Sequence, residues 1–364
     1  MTTTLPGRHR PEAPRIVAEK VRLPGRSTRE DRLTYGGAVV ASLSTTWLGY
    51  TQILPFTGRL GFVICWYVLF VVFLGMLTAQ SRPRAIVVDR IVTAIIVAAP
   101  VIVGIALATA IVSTVVKGWE PLTHVNFYTD DMAGVRAADS FDRGGILHAI
   151  AGTLIEVTIA VAIAMPLGVI TAIFTSEVGG RTARYVRAVV EALTAMPSIV
   201  AGLFVYTVCI VHLGMPTSGF AASLALSVMA LPIMARASDV VLRVVPNGLR
   251  EASYALGATK WQTVWRVVLP TARPGLATAL ILGVARTVGE TAPLLLTSGA
   301  STYFTANPLE APMNSLPLYI YTAVSSGSPE FEERGYAAAA VLLIVVLTLF
   351  VFARLVARRK PGNR

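Results

Sequence analysis

Charge is scarce in this chain. Only 14% of its 364 residues are Asp, Glu, Lys or Arg, while 54% are hydrophobic and the mean hydropathy is +0.67. A soluble domain carries about 25% charged residues. Too few charges remain to coat a water-facing surface, which excludes an ordinary soluble enzyme and points to a polytopic membrane protein. The same balance excludes disorder for most of the chain. Cysteine is scarcer still: Cys65 and Cys209 both lie in apolar runs and read as small hydrophobes, so a disulfide scaffold is excluded. The only lysines are Lys20, Lys117, Lys260 and Lys360, and none sits in a G-x-x-x-x-G-K-[ST] setting, so the chain lacks a phosphate-cradling loop for ATP hydrolysis. His124, His148 and His212 have no acid or cysteine at ligand spacing, so no metal site is expected. No nucleophile–base arrangement stands out, and no apolar run before residue 35 resembles a cleavable signal peptide.

Long apolar runs are what the chain does have. Eight reach the length of a bilayer crossing, at about 35–54, 60–79, 91–116, 149–174, 188–211, 219–240, 276–297 and 337–357. They are continuous and lack the alternation of a barrel strand, so the expected fold is all-α with about eight transmembrane helices. Glu191 and Pro197 make the run at 188–211 the weakest. With the N-terminus inside, Arg59, Lys117, Arg136, Arg143 and Arg334 fall outside and Arg286 lies within a helix; the other 25 of the 31 Lys and Arg face the cytoplasm. That is a strong positive-inside pattern. The net charge of +11 is therefore spread over topogenic loops rather than gathered into a patch, which argues against nucleic acid as a partner. Residues 1–34, rich in Pro, Gly and Arg, read as a basic flexible cytoplasmic arm beside the membrane lipid, and 358–364 as a cytoplasmic tail. The outer loops 117–148 and 298–336 are long and acidic.

The stretch 243–275 is the longest inner connection. In it, Trp261 and Trp265 stand at i and i+4, with Val264 and Val268 near the same stripe, an amphipathic arrangement. Gly257 is expected to end a first short helix, and Pro270 to stop a second before the membrane is re-entered. The pattern alone fits two readings equally: a helical pair offering a face to another protein, or an interfacial helix anchored by its tryptophans.

The spacing here, E-A-S from Glu251, three intervening residues, Gly257, nine residues, then V-V-L-P ending at Leu269 and Pro270, is similar to the signature of permease subunits of binding-protein-dependent ABC importers. Ser253 replaces the usual second alanine and Val267 the usual isoleucine. The resemblance implies that Glu251, Ala252, Gly257, Leu269 and Pro270 belong to a coupling segment that docks on a separate cytoplasmic ATPase. It also implies that ATP and magnesium are bound there, with no cofactor held by this chain.

Within 276–297, Arg286 and Glu290 stand at i and i+4 on one helical face. An arginine at mid-membrane costs about 2.5–3.5 kcal/mol on insertion scales, so it should face protein or water. Guanidinium matches phosphate or carboxylate oxygens, so a path whose mid-membrane cation is arginine suits an anion. Glu290 would hold Arg286 when the path is empty. A pair that only pins helices is the simpler alternative. Glu156 fits either a cavity lining or helix packing, and Arg236 and Asp239, near an inner helix end, read as snorkelling groups.

The run G-V-A-R-T-V-G-E-T-A-P-L-L around Arg286 resembles the corresponding helix of phosphate-importer permeases. So do P-L-G-V-I-T-A-I-F-T-S-E from Pro166 and M-P-S-I-V-A-G-L-F from Met196, while S-L-P-L-Y-I-Y from Ser315 is similar to the A-type subunit of the phosphate-specific (Pst) system. The similarity covers about 148–357, a six-helix type I permease core. The resemblance implies a permease domain over 91–357, two extra transmembrane helices over 35–80, and a substrate path carrying Arg286, Glu290 and Thr291. The implied partners are a second permease subunit, two ABC ATPase subunits and an extracytoplasmic phosphate-binding protein, in a bacterial plasma membrane with both termini cytoplasmic. An ABC permease for phosphonate, sulfate or molybdate remains open, as does an ATPase-independent secondary transporter. A membrane-embedded enzyme would need a catalytic cluster, and none is found.

Overall fold

In a bilayer every backbone group must be satisfied internally, so uninterrupted apolar runs fold as helices. The computed structural model describes residues 29–53 and 58–357 and is helical nearly throughout. The arm before residue 29 and the tail 358–364 lie outside the described residues. Six helices are long and apolar enough to cross a membrane, or up to seven if one bent pair counts as a span.

The chain divides into two compact units at Leu107/Ala108. In the first, α1 (Arg29–Leu48) and α2 (Arg59–Ser81) pack on each other. Ala38, Ser42 and Thr46 form the buried stripe of α1, and α2 buries Leu74, Gly75 and Thr78. Arg82, just after α2, reaches Glu30 at 3.3 Å and Asp31 at 3.8 Å, so the start of α1 lies beside the end of α2 and the pair is antiparallel. The expected span at 35–54 starts earlier, at Arg29, and is not among the six: Arg29, Glu30, Asp31 and Arg32 occupy its first turn, and Ser42 and Thr46 lie on its packed face. α3 (Arg84–Lys117) is apolar along most of its length, and none of its residues is buried.

The second unit is built around α4 (Leu147–Ile173) against α7 (Gly219–Val244). Small residues permit the close approach: Gly168 leaves space for Met234 and Ala235, and Ala160 and Ala164 are fully buried. The core is layered along the bundle. Phe127, Ile146, Leu316 and Tyr319 fill one end, Val157, Leu226, Val288 and Leu294 the middle, and Leu242, Val245, Val264 and Val268 the other end.

Two more expected spans are interrupted. The run at 188–211 is two helices, α5 (Gly180–Thr194) and α6 (Ser198–Val205, continuing as a π-helix to His212), bent by 103°. Pro197 sits at the junction with ψ 137°, outside helical space. The run at 276–297 is a helix that begins earlier and ends sooner. A continuous helical path from Lys260 to Val288 contains α9 (Leu269–Val288), and after a break only the single turn Leu294–Thr297 follows. Pro270 does not stop this path. The turn before it is a π-helix, in which the Leu269 N–H reaches back five residues to the Val264 carbonyl, and this wider turn accommodates the proline at the start of α9.

Candidate functional site

α9 ends where glycine and proline cease to support it. The Gly289 N–H bonds the Arg286 carbonyl at 3.2 Å and the Glu290 N–H bonds Thr287 at 3.3 Å, tightening the last turn, and Pro293 precedes the next. Arg286 thus stands on the final turn of a helix rather than in its middle, with Glu290 and Thr291 in the break. Arg286 Nε lies 3.7 Å from Glu290 Oε1, with the guanidinium side chain 60% exposed and the glutamate 17%. The separation is that of an ion pair too long for a hydrogen bond. Most of the guanidinium's five donors therefore remain open to whatever meets this face. Thr291 is half-buried, and its carbonyl starts the turn at Leu294.

The break is held by protein. Gly202 of α6 packs so closely on it that a Cβ there would lie 2.7 Å from Pro293 Cα. Non-helical backbone at membrane depth is tolerated where it is buried in protein or lines a cavity. The bent pair α5–α6 and the broken end of α9 thus meet.

The second group of predicted residues lies on α8 (Asn247–Ala255) and the turn after it. Gly257 has φ +83°, a left-handed conformation that glycine adopts without strain, and it turns the chain away from α8. Thr259 then opens the next helix with a capping box: its hydroxyl accepts the Gln262 N–H, and Gln262 Oε1 accepts the Thr259 N–H at 2.9 Å. Ser253, the departure from the usual alanine, lies 2.9 Å from the Thr263 hydroxyl and ties the two helices together. Thr263, Val264 and Val268 face inward and are buried. Glu251, Ala252, Gly257 and Pro270 are exposed, Leu269 is half-buried, and Leu256 is 89% exposed. Trp261 and Trp265 stack edge to face at 5.5 Å and are both exposed. The segment is a folded corner with one face buried and an apolar face outward.

One connection was not anticipated from sequence. Arg250 of α8 reaches Glu177 through Nη2–Oε1 at 2.8 Å and Nε–Oε2 at 3.4 Å, and also donates to the Leu242 and Val245 carbonyls that end α7. Glu177 lies in the π-turn that follows α4, so one guanidinium joins three elements. The only available signal was the acid that closes the T-S-E motif. Asp239, read as a snorkelling group, is instead bonded: Arg243 Nε donates to it at 2.9 Å and the Thr175 hydroxyl at 3.1 Å, while Arg236 is exposed.

At the opposite end, Asp131 ties the two long loops. It accepts the backbone N–H groups of Phe304 at 2.9 Å and Ala133 at 3.0 Å. These bonds, chiefly that from Phe304, hold its carboxyl below the usual carboxylate range. Arg334 is buried in this end, donating to the Asp139 and Ser140 carbonyls.

Residues 164–360 match the family described as binding-protein-dependent transport system inner membrane component. Over 243 residues the chain is 41% identical to the phosphate transport system permease protein PstA 1 of Mycobacterium tuberculosis (strain CDC 1551 / Oshkosh), which covers 66% of this chain and 79% of that protein. It is 39% identical over 257 residues to the phosphate transport system permease protein PstA of Mycobacterium leprae, covering 69% and 83%. It is 32% identical over 262 residues to PstA of Haemophilus influenzae, covering 71% and 90%.

Proposed function

The chain belongs to the binding-protein-dependent transport system inner membrane component family, and on that premise we propose that it is the permease subunit of an ATP-driven importer of inorganic phosphate. The observation that carries this reading is Arg286 at the broken end of α9, its guanidinium mostly uncovered by its own chain and only loosely held by Glu290. An arginine at this depth against lipid is costly, so the face it occupies belongs to a second permease subunit and the water-filled path between the two. Phosphate oxygens meet the guanidinium fork, with Glu290 and Thr291 beside it. Because Glu290 competes for the same donors, the site releases the anion rather than trapping it.

The corner 251–270 docks on an ATPase, two copies of which close on ATP. ATP and magnesium are held by those subunits, and this chain is not itself an enzyme. Leu256, Trp261 and Trp265 supply the apolar face, and Arg250 passes its displacement to α4 and α7. The loops tied by Asp131 receive a phosphate-binding protein from outside. Both termini are cytoplasmic. The test is reconstitution: proteoliposomes holding this chain, its sister permease and the ATPase, supplied with binding protein and internal ATP, accumulate labelled phosphate. Accumulation without the ATPase, or preference for sulfate, contradicts the reading.

A further inference from the structure

Glu156 lies on α4, nine residues in from Leu147, and its residue is fully buried. None of the ion pairs among the described residues includes it. Its neighbour is Ser298, which follows directly on the turn Leu294–Thr297. Ser298 Oγ lies 2.8 Å from Glu156 Oε1 and 2.7 Å from the Met313 carbonyl oxygen. A serine hydroxyl has one hydrogen to donate and two lone pairs to accept. Were Glu156 ionised, two acceptors would compete for that single hydrogen, and sharing it would lengthen both contacts. Both short contacts are satisfied without competition when the carboxyl keeps its proton and donates to Ser298, which donates to Met313. The second oxygen agrees. Glu156 Oε2 is buried without a hydrogen-bond partner, a modest cost for a neutral carbonyl oxygen and a severe one for a carboxylate.

We infer that Glu156 is held as a neutral carboxylic acid, and that its donation to Ser298 positions the broken segment carrying Glu290 and Thr291. The surroundings suit that role. Gly152, one turn from Glu156, leaves no room for a Cβ against the Asn314 carbonyl. The Thr153 hydroxyl accepts the Leu316 N–H at 2.7 Å. The Met313 N–H returns to the Ser298 carbonyl at 2.9 Å, and the Ser218 N–H bonds the Thr297 carbonyl at 3.0 Å. One face of α4 thus receives irregular backbone. Glu156 meets that junction at Ser298, eight residues after Glu290, while Asn314 Nδ2 donates to the Ser301 carbonyl at 3.0 Å nearby. Glu156 is a positioning residue, acting on the substrate path through Ser298.

The experiment compares Glu156→Gln, Glu156→Ala and Ser298→Ala in the complete transporter, with phosphate uptake, co-purification of the partner subunits, and infrared spectra of the purified assembly. Glutamine carries the same donor in nearly the same shape, so Glu156→Gln retains uptake and assembly. Glu156→Ala and Ser298→Ala each lower uptake about tenfold, the loss expected when one member of a buried hydrogen-bonded pair is removed. The carbonyl band of a protonated carboxyl, present at neutral pH, disappears in Glu156→Gln. Loss of uptake or assembly in Glu156→Gln, full uptake in Ser298→Ala, or no band change overturns the inference. The uptake arm rests on the phosphate reading. The spectra do not, so an inactive wild type with an intact band would reject that reading and leave the neutral acid standing.

Discussion

Arg250 and Glu177 stand 73 residues apart in sequence and form a two-pronged ion pair, at 2.8 and 3.4 Å, between the exposed corner and the end of a transmembrane helix. Both side chains are largely buried. Through the same guanidinium the corner is bonded to the last carbonyls of α7, so α8 cannot tilt without pulling on two helices of the core.

Removing one partner of a buried pair strands the other, a loss of about 3 kcal/mol. Arg250→Ala is therefore expected to lower the thermal stability of the assembled transporter and to abolish uptake. Arg250→Lys, a single point charge without the fork, should restore stability in part and uptake poorly. ATPase rate and uptake measured on one preparation check this: hydrolysis persists while transport is lost. Tight coupling in Arg250→Ala would exclude the connection.

Gly257 occupies left-handed space with nothing within 4 Å of where a Cβ would stand. The cost of substitution is conformational and not steric, about 1–2 kcal/mol for most residues. Gly257→Asn is expected to be milder than Gly257→Val, because asparagine tolerates this region. The order should appear both in co-purification of the ATPase and in uptake.

Leu256 is a different case. At 89% exposure it contributes little to the fold of its own chain, yet burying it against a partner is worth about 1.5–3 kcal/mol. Leu256→Ala should leave expression unchanged and weaken ATPase association by about tenfold or more. Binding of purified ATPase to the permease pair in detergent measures this directly.

Asp131 has a folded pKa below its unfolded value, so its contribution to stability is present above the unfolded pKa and fades as pH falls through the folded one. The loops it joins are expected to loosen in acid before the helical core does. Hydrogen exchange at Phe304 should show that loosening in the wild type, whereas Asp131→Asn should expose the same amide already at neutral pH.

The membrane class and the helical core were legible because long apolar runs are a local signal that needs no partner elsewhere in the chain. The corner was legible for a similar reason: Gly257 and the tryptophan pair are local signals. What the sequence concealed was where helices break. Pro197 and Gly289 each interrupt a run that composition joins, whereas Pro270, a stronger breaker on paper, is absorbed by a π-turn. Arg250–Glu177 and Glu156–Ser298 were out of reach, because partners 73 and 142 residues apart leave no periodic trace.

The central claim is that Arg286 meets the transported anion. Phosphate uptake by Arg286→Gln, in cells without other uptake routes, tests it most directly. The expected result is loss of uptake with normal membrane abundance and normal co-purification of the ATPase. Uptake at the wild-type rate would remove Arg286 from the path and contradict the account.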